Sequence, residues 1–337
     1  RGIDREEIFQ AIENSLISAC KKNFGTSQNI KVDMNRETGE VTVYAQKEVT
    51  EDVYDGFLEI SLEEAKEINP NYEYGDIVDI PVTPRDFGRI SAQAAKQVVV
   101  QKFREAEREK LYNEFVVKQN DIDTGIIRRI ENKNIVVSLG KIDAIIPPKE
   151  QVSTEEYNVH DRLKVYILNV RKTTKGAQIT ASRTHFELVK RLFELEVPEV
   201  YDGTVEIKGL VREAGSRTKM AVFSKNSDVD AIGACIGNNG NRVAVIINEL
   251  RGEKIDILNW SEDPKVYITE ALKPCKVLAI ELCEEEKSAK VVVLDDQLSL
   301  AIGKEGQNVR LAGRLTGWKI DIKNETQAKT TNFIDFD

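Results

Sequence analysis

The sequence predicts a multidomain α+β chain: an N-terminal α/β module closed by a long connector helix, a small β-barrel, and one α+β unit built twice. Three observations carry this. IGNNGNRVAVIINELRGEKIDI at 236–257 and IGKEGQNVRLAGRLTGWKIDI at 302–322 share I-G-x-x-G-x-x-V, a helix-like run, and then L-x-G-x-K-I-D-I. The first half is offset by 66 residues (302 − 236) and the second by 65 (315 − 250), and two linked matches on nearly one diagonal are an internal repeat. Five short β-type runs (GIIRRI, NIVVSL, IDAIIP, RLKVYILNVR, AQITAS) crowd into residues 121 to 183. Residues 86 to about 118 lack proline and hold Gly88 only at their start, which predicts a long, charged helix.

Each element follows from local pattern. Residues 4 to 24 read as a helix: Asp4 is its N-cap, Glu6 and Glu7 sit in the first turn, Ile8, Ile12, Leu16 and Ala19 recur at helical spacing, Lys21 and Lys22 fill the last turn, and Gly25 is the stop. Alternation of Ile30, Val32, Met34 and of Val41, Val43, Ala45 about the turn NRETGE predicts a hairpin with one buried face. Leu58 and Ile60 suggest another strand, SLEEAKEI a short helix capped by Ser61, and GDIVDIPV from Gly75 a further strand. The five runs after residue 121 suit an OB-fold barrel, with an SH3-like barrel or a plain meander as competing arrangements. HFELVKRLFEL resumes helix and ends before Pro198. TVEIKGLV, KMAVFS, DVDAIGAC, the G-N-N-G turn, RVAVIINEL and KIDIL follow, and the order repeats as ALKPCK, VLAIELCEE, AKVVVLD, LSLAI, G-K-E-G, NVRLAGRL and WKIDIK. The shared pattern is α-β-β-α-α-β, with KIDI as the last strand of each unit.

Bulk properties narrow the function. A length of 337 residues allows two to four domains, and 31% charged against 7% aromatic residues points to several small cores with large solvated surfaces. No run of 18 apolar residues exists, and residues 1 to 25 lack the apolar stretch of a signal peptide, so a cytoplasmic protein is expected. The sequence opens on Arg1 rather than Met, so further residues are expected ahead of it. Cys20, Cys235, Cys275 and Cys283 form no C-x-x-C pair, and only His160 and His185 are available for metal or acid–base work, so neither a metal, a cofactor nor catalysis is expected. The net charge of −9 is uneven: −7 over residues 1–120, +3 over 121–190 and −5 over 191–337. A basic middle between acidic flanks suggests a local electrostatic footprint.

The repeated glycine loop is the main functional signal. A lone G-x-x-G is weak, but here it lies between two helices in both units. Glycine permits tight turning and close approach of a nucleic-acid backbone, and a turn opening a helix directs backbone N–H groups toward phosphate. This is the clamp of a KH domain, which holds single-stranded RNA. Neither copy has the third glycine of a dinucleotide fingerprint, and no P-loop occurs. The candidate RNA contacts in the first unit are Gly237, Asn238, Asn239, Gly240 and Arg242. Those in the second are Gly303, Lys304, Glu305, Gly306, Asn308, Arg310 and Arg314. Lys304, Arg310 and Arg314 could meet successive phosphates, so the second unit is expected to grip RNA more firmly. The barrel offers Arg128, Arg129, Arg162, Lys164, Arg171 and Lys172, with Lys133, Lys141 and Lys175, but only Tyr157 and Tyr166 as aromatics. Weak, salt-dependent contact is expected there, with a structural spacer as the alternative.

Taken in order, these modules resemble the NusA family of bacterial transcription factors along essentially the whole chain. The resemblance rests on SACKKNFG at 18–25, PVTPRDFGRISAQAAKQVVVQKFREAER at 81–108, VSLGKIDAIIPPKEQ at 137–151, ITASRTH at 179–185, GNNGNRVAVIINELRGEKIDIL at 237–258 and AIGKEGQNVRLAGRLTGWKIDI at 301–322. It implies an N-terminal RNA polymerase-binding domain at 1–120, an S-one-type OB-fold domain at 121–187, KH domains at 188–266 and 267–329, and a tail at 330–337. It further implies a monomeric, non-enzymatic elongation factor that docks on RNA polymerase, receives nascent RNA on one rigid surface, prolongs pausing, aids hairpin-dependent termination, and joins other antitermination factors. His160 departs from the pattern, standing where the family often has glycine, and the Asn-Asn loop of the first KH unit is less basic than common family versions. RNA-degrading enzymes and ribosome-linked factors share such modules and are the competing classes.

Overall fold

A computed structural model describes residues 4–24, 29–82, 87–330 and 333. The chain divides into two compact units, Arg1–Lys110 and Leu111–Asp337.

In the first unit, helix α1 (Arg5–Phe24) begins where the Asp4 carboxylate accepts the Glu6 N–H. Gly25, expected to stop it, and the Lys21 and Lys22 side chains lie outside the description. Ile12, Leu16 and Cys20 pack against Val32 and Val43. Strands β1 (Ile30–Met34) and β2 (Val41–Thr50) pair antiparallel with Ile30 opposite Ala45, Val32 opposite Val43 and Met34 opposite Val41, the register that one buried face requires. Strand β3 (Glu59–Ser61) runs parallel to β2 and β4 (Ile77–Pro81) antiparallel to it. Helix α2 (Leu62–Ile68) starts at Ser61, whose hydroxyl accepts the Glu64 N–H. Helix α3 (Phe87–Val116) supplies Ala94, Ala95, Val98 and Val99 to the α1 core.

The second unit opens with a closed barrel. Strands β5 (Ile122–Glu131), β6 (Asn134–Ser138), β7 (Asp143–Ile146), β8 (Arg162–Thr173) and β9 (Gly176–Ser182) close in the order β5-β6-β7-β9-β8. Ile127, Ile135, Val137, Ile146, Val165, Ile167 and Ile179 fill the interior, and Phe115 from the end of α3 joins them. Closure leaves no exposed sheet edge. The hairpin between β5 and β6 turns on Asn132 and Lys133, both at positive φ, as a two-residue loop of this hand demands. His160 has φ 76°, which explains why glycine suits this position: a left-handed backbone costs a Cβ-bearing residue more.

Two α+β units complete the chain. The first holds α4 (Phe186–Glu196), α5 (Pro198–Tyr201), β10 (Val205–Glu213), β11 (Arg217–Ser224), α6 (Ala231–Ile236), α7 (Asn241–Glu249) and β12 (Lys254–Asn259). The second holds α8 (Pro264–Leu272), β13 (Val277–Cys283), β14 (Ser288–Val293), α9 (Leu298–Ile302), α10 (Gln307–Thr316) and β15 (Lys319–Asn324), with α11 (Glu325–Thr330) beyond. Each sheet pairs its first two strands antiparallel and adds the KIDI strand parallel to the middle one. Ile255 and Ile257 pack on the first core, and Ile320 and Ile322 on the second. Even the strand irregularities correspond, at Ile207/Gly209 and Val277/Ala279. ALKPCK holds only the end of its helix, because α8 starts after the Asp263 cap with Pro264 in its first turn. The boundaries expected at 187/188 and 266/267 therefore each fall inside a helix, α4 and α8.

Candidate nucleic-acid interface

The two glycine loops adopt the same backbone. Gly237 and Gly303 have φ/ψ of 75°/173° and 77°/171°. Asn239 and Glu305 have 53°/25° and 54°/29°, and Gly240 and Gly306 have 75°/16° and 73°/15°. Three left-handed residues in a four-residue loop turn the chain sharply from α6 into α7, and from α9 into α10. The two glycines of each loop serve different ends. A Cβ on Gly303 would lie 2.8 Å from the Asn308 backbone nitrogen, and one on Gly237 would lie 2.7 Å from Arg242 Cγ. The first glycine thus lets the loop fold onto its own following helix. A Cβ on Gly240 or Gly306 would meet nothing within 4 Å, so the second glycine leaves a smooth outer surface open to a ligand.

Arg242 and Asn308 occupy the same position of the repeat and face inward. Arg242 Nη1 donates to the Ala234 carbonyl at 2.6 Å and to Glu199 at 2.9 Å, tying α7 to α6 and α5. Asn308 is only 1% exposed, and its Nδ2 donates to the carbonyls of Ala301 (3.0 Å) and Leu272 (3.2 Å). Asn308 was expected on the clamp surface; instead it braces the clamp from behind, satisfying carbonyls at helix ends that would otherwise be orphaned.

The charges differ between copies. Lys304 is exposed and has no ion-pair partner among the described residues, and Arg314 is exposed one turn beyond Arg310. Asn238, Ala244 and Asn248 stand at the corresponding first-copy positions and carry no charge. Arg310 is held by Glu213 at the end of β10, Nε to Oε1 at 2.7 Å and Nη2 to Oε2 at 3.1 Å. Its Nη1 donates to the Glu305 carbonyl of the loop at 3.0 Å. The Arg310 guanidinium draws the Glu213 carboxyl below the ordinary carboxylate range.

The barrel cations do not form one site. Arg128 and Arg129 share Asp143, at 3.3 and 3.7 Å, and Arg129 also pairs with Glu131. An open groove of about 540 Å³ is lined there by Arg129, Asp143, Lys175 and Gln178, among others. Arg171 and Lys172 lie at one end of β8, the latter over the Tyr112 ring, while Arg162 and Lys164 lie near the other, roughly 30 Å away along the strand. Neither tyrosine offers a stacking platform. Tyr166 is buried and stacks on His185 at 4.6 Å, and the Tyr157 hydroxyl accepts the Val152 N–H.

Sequence reading missed the residues that fix the barrel to the first α+β unit. Arg183, at the end of the barrel, is fully buried and uses all five donors. It binds Glu155 through Nε (3.0 Å) and Nη2 (2.6 Å), the Lys164 carbonyl and Glu249 Oε1 through Nη1, and the Glu249 carbonyl through Nη2. Arg212 grips Glu253 and donates to the carbonyls of Arg183 and His185. The planar guanidinium fork suits such a junction. The one available signal was an arginine inside the strand-like ITASRTH.

Comparison with known proteins gives a consistent picture. Residues 1–109 match the family model of the NusA N-terminal domain, 116–182 that of the S1 RNA binding domain, 183–260 that of the NusA-like first KH domain, and 264–330 that of the NusA-like second KH domain. A transcription termination/antitermination protein NusA of Bacillus subtilis is 59% identical over 98% of this chain and 89% of its own length. One from Halalkalibacterium halodurans is 57% identical over 99% and 88%, and one from Thermus thermophilus is 41% identical over 96% and 86%. No described helix is long and apolar enough to cross a membrane.

Proposed function

The chain belongs to the NusA family, and we propose that it is an elongation factor that binds RNA polymerase and nascent single-stranded RNA. On this reading it prolongs pausing, promotes hairpin-dependent termination and takes part in antitermination as a non-enzymatic, cytoplasmic monomer. The observation that carries the RNA half is the pair of loops with one backbone geometry, smooth outside and charged chiefly in the second copy. We assign RNA contact to Gly240, Asn238 and Asn239 in the first loop, and to Gly306, Lys304, Arg310 and Arg314 in the second. The barrel's Arg171 and Lys172 add electrostatic contact.

The polymerase half rests on the acidic first unit. Its β2–β3 loop exposes Tyr54 (88%) and Phe57 (73%), while Glu59 accepts the N–H groups of Tyr54 and Asp55 and holds the loop. Glu51, Asp52 and Asp55 around these rings repel phosphate, so a protein partner fits better than RNA. Tethering to polymerase raises the local concentration of the RNA surface around the transcript, so weak contacts suffice. Differential affinity for the paused state then lengthens the pause. The test is the lifetime of a hairpin-stabilised pause by cognate RNA polymerase with and without the chain. A longer pause is expected, and an unchanged lifetime in the presence of demonstrated RNA binding would refute the reading.

A further inference from the structure

We propose that Glu213 of the first KH unit competes with RNA phosphate for Arg310, so that the first unit restrains the grip of the second clamp. This rests on the reading that the second clamp binds RNA. The contact crosses between the two repeats: β10 ends on Glu213, and Arg310 lies on α10 directly behind the G-K-E-G loop. The carboxylate takes the Nε–Nη2 edge of the guanidinium with both its oxygens, the same fork geometry that a phosphate would use. Gln307 Nε2 fixes the carboxylate in place, donating to Glu213 Oε2 at 2.8 Å and to Ser216 Oγ at 2.7 Å.

The pair is poised to exchange. Arg310 is 43% and Glu213 22% exposed, so the guanidinium is the open side of the pair, where a phosphate can compete for it. The Glu213 carboxylate also lies in the field of Arg314, so it lowers the potential of both cations behind Lys304. The device is built once. In the repeat, Ala244 stands where Arg310 would be, and β13 ends on Cys283 where β10 ends on Glu213. Conserving backbone geometry while adding a cation and its restraining carboxylate to one copy gives that clamp an adjustable affinity.

The test is fluorescence anisotropy of an unstructured 12-nucleotide RNA with the full chain from 50 to 300 mM KCl. Glu213→Gln keeps the side-chain shape and removes the charge. It should bind about threefold to tenfold tighter, and the log K against log salt slope should steepen by about 0.7, one more phosphate neutralised. Arg310→Gln should cost little alone and more in the Glu213→Gln background. A purely structural pair predicts the opposite sign, weaker binding on Glu213→Gln. As a second measurement, the Arg310 side-chain N–H resonance should shift when RNA saturates the wild-type chain. Binding unchanged or weakened by Glu213→Gln, or a stationary Arg310 resonance, overturns the proposal. Lys304→Glu in the same titration separates the two readings. If it weakens binding while Glu213→Gln does not tighten it, only the restraint is wrong. If Lys304→Glu binds like wild type, or wild type does not bind, both are wrong.

Discussion

Replacing Arg183 by methionine tests whether the barrel and the first KH unit are joined as described. The substitution roughly preserves side-chain length and removes five hydrogen bonds and the charge. It leaves the Glu155 carboxylate, buried with Arg183, without its partner. Breaking a buried pair from one side costs about 3–5 kcal/mol, because the remaining charge is uncompensated. For a unit of this size, about 1 kcal/mol moves the melting temperature by roughly 2–4 °C, so a fall of roughly 6–20 °C is expected. Differential scanning calorimetry of the full chain reads it, and hydrogen exchange should show the loss centred on β8 and α7. Arg183→Lys should recover only a fraction, since an ammonium cannot span Glu155, Glu249 and two carbonyls at once. A fall below about 2 °C for Arg183→Met would refute the view that this network holds the junction.

Gly303→Ala should destabilise the second KH unit by about 2–4 kcal/mol in urea unfolding, combining a left-handed alanine with overlap on Asn308. Gly306→Ala should cost only about 1–2 kcal/mol, since its Cβ meets open space, yet should weaken RNA binding because that space is where the ligand lies. In the first unit, Tyr54→Ala with Phe57→Ala should weaken binding to core RNA polymerase at least tenfold by biolayer interferometry while leaving RNA affinity unchanged. Arg251 beside Asp161 holds that carboxyl below its ordinary value. A depressed acid stabilises the fold above its unfolded pKa, near 4, and loses that contribution as pH falls through the folded value, so Asp161→Asn should flatten the acid limb of a stability–pH curve below about pH 4.

Much of the fold is legible because its signals are local and repeated. Alternation around NRETGE sets the β1–β2 register, and the barrel strands stand out because turn residues separate them. The repeat marks both glycine loops, and the structure shows why: each needs three left-handed residues among four. What stays hidden is direction and distance. Nothing in a one-dimensional pattern says that Asn308 and Arg242 point back into the fold while Lys304 points out. Helical spacing put Arg310 beside the loop but not beside Glu213, 97 residues away. Arg183 looks like one more surface cation until five hydrogen bonds to three residues, Glu155, Lys164 and Glu249, close around it. The start of α8 was missed because ALKPCK resembles a helix while its cap, Asp263, lies further upstream.

The central claim is that two clamps of one geometry divide the work by charge, with the second dominating. Its most direct measurement compares Lys304→Glu with Asn238→Glu, matched positions of the two loops, in RNA affinity at fixed ionic strength with melting curves alongside. The account predicts a loss of more than tenfold for Lys304→Glu, less than about threefold for Asn238→Glu, and unchanged melting for both. An equal or larger loss at Asn238 would contradict it.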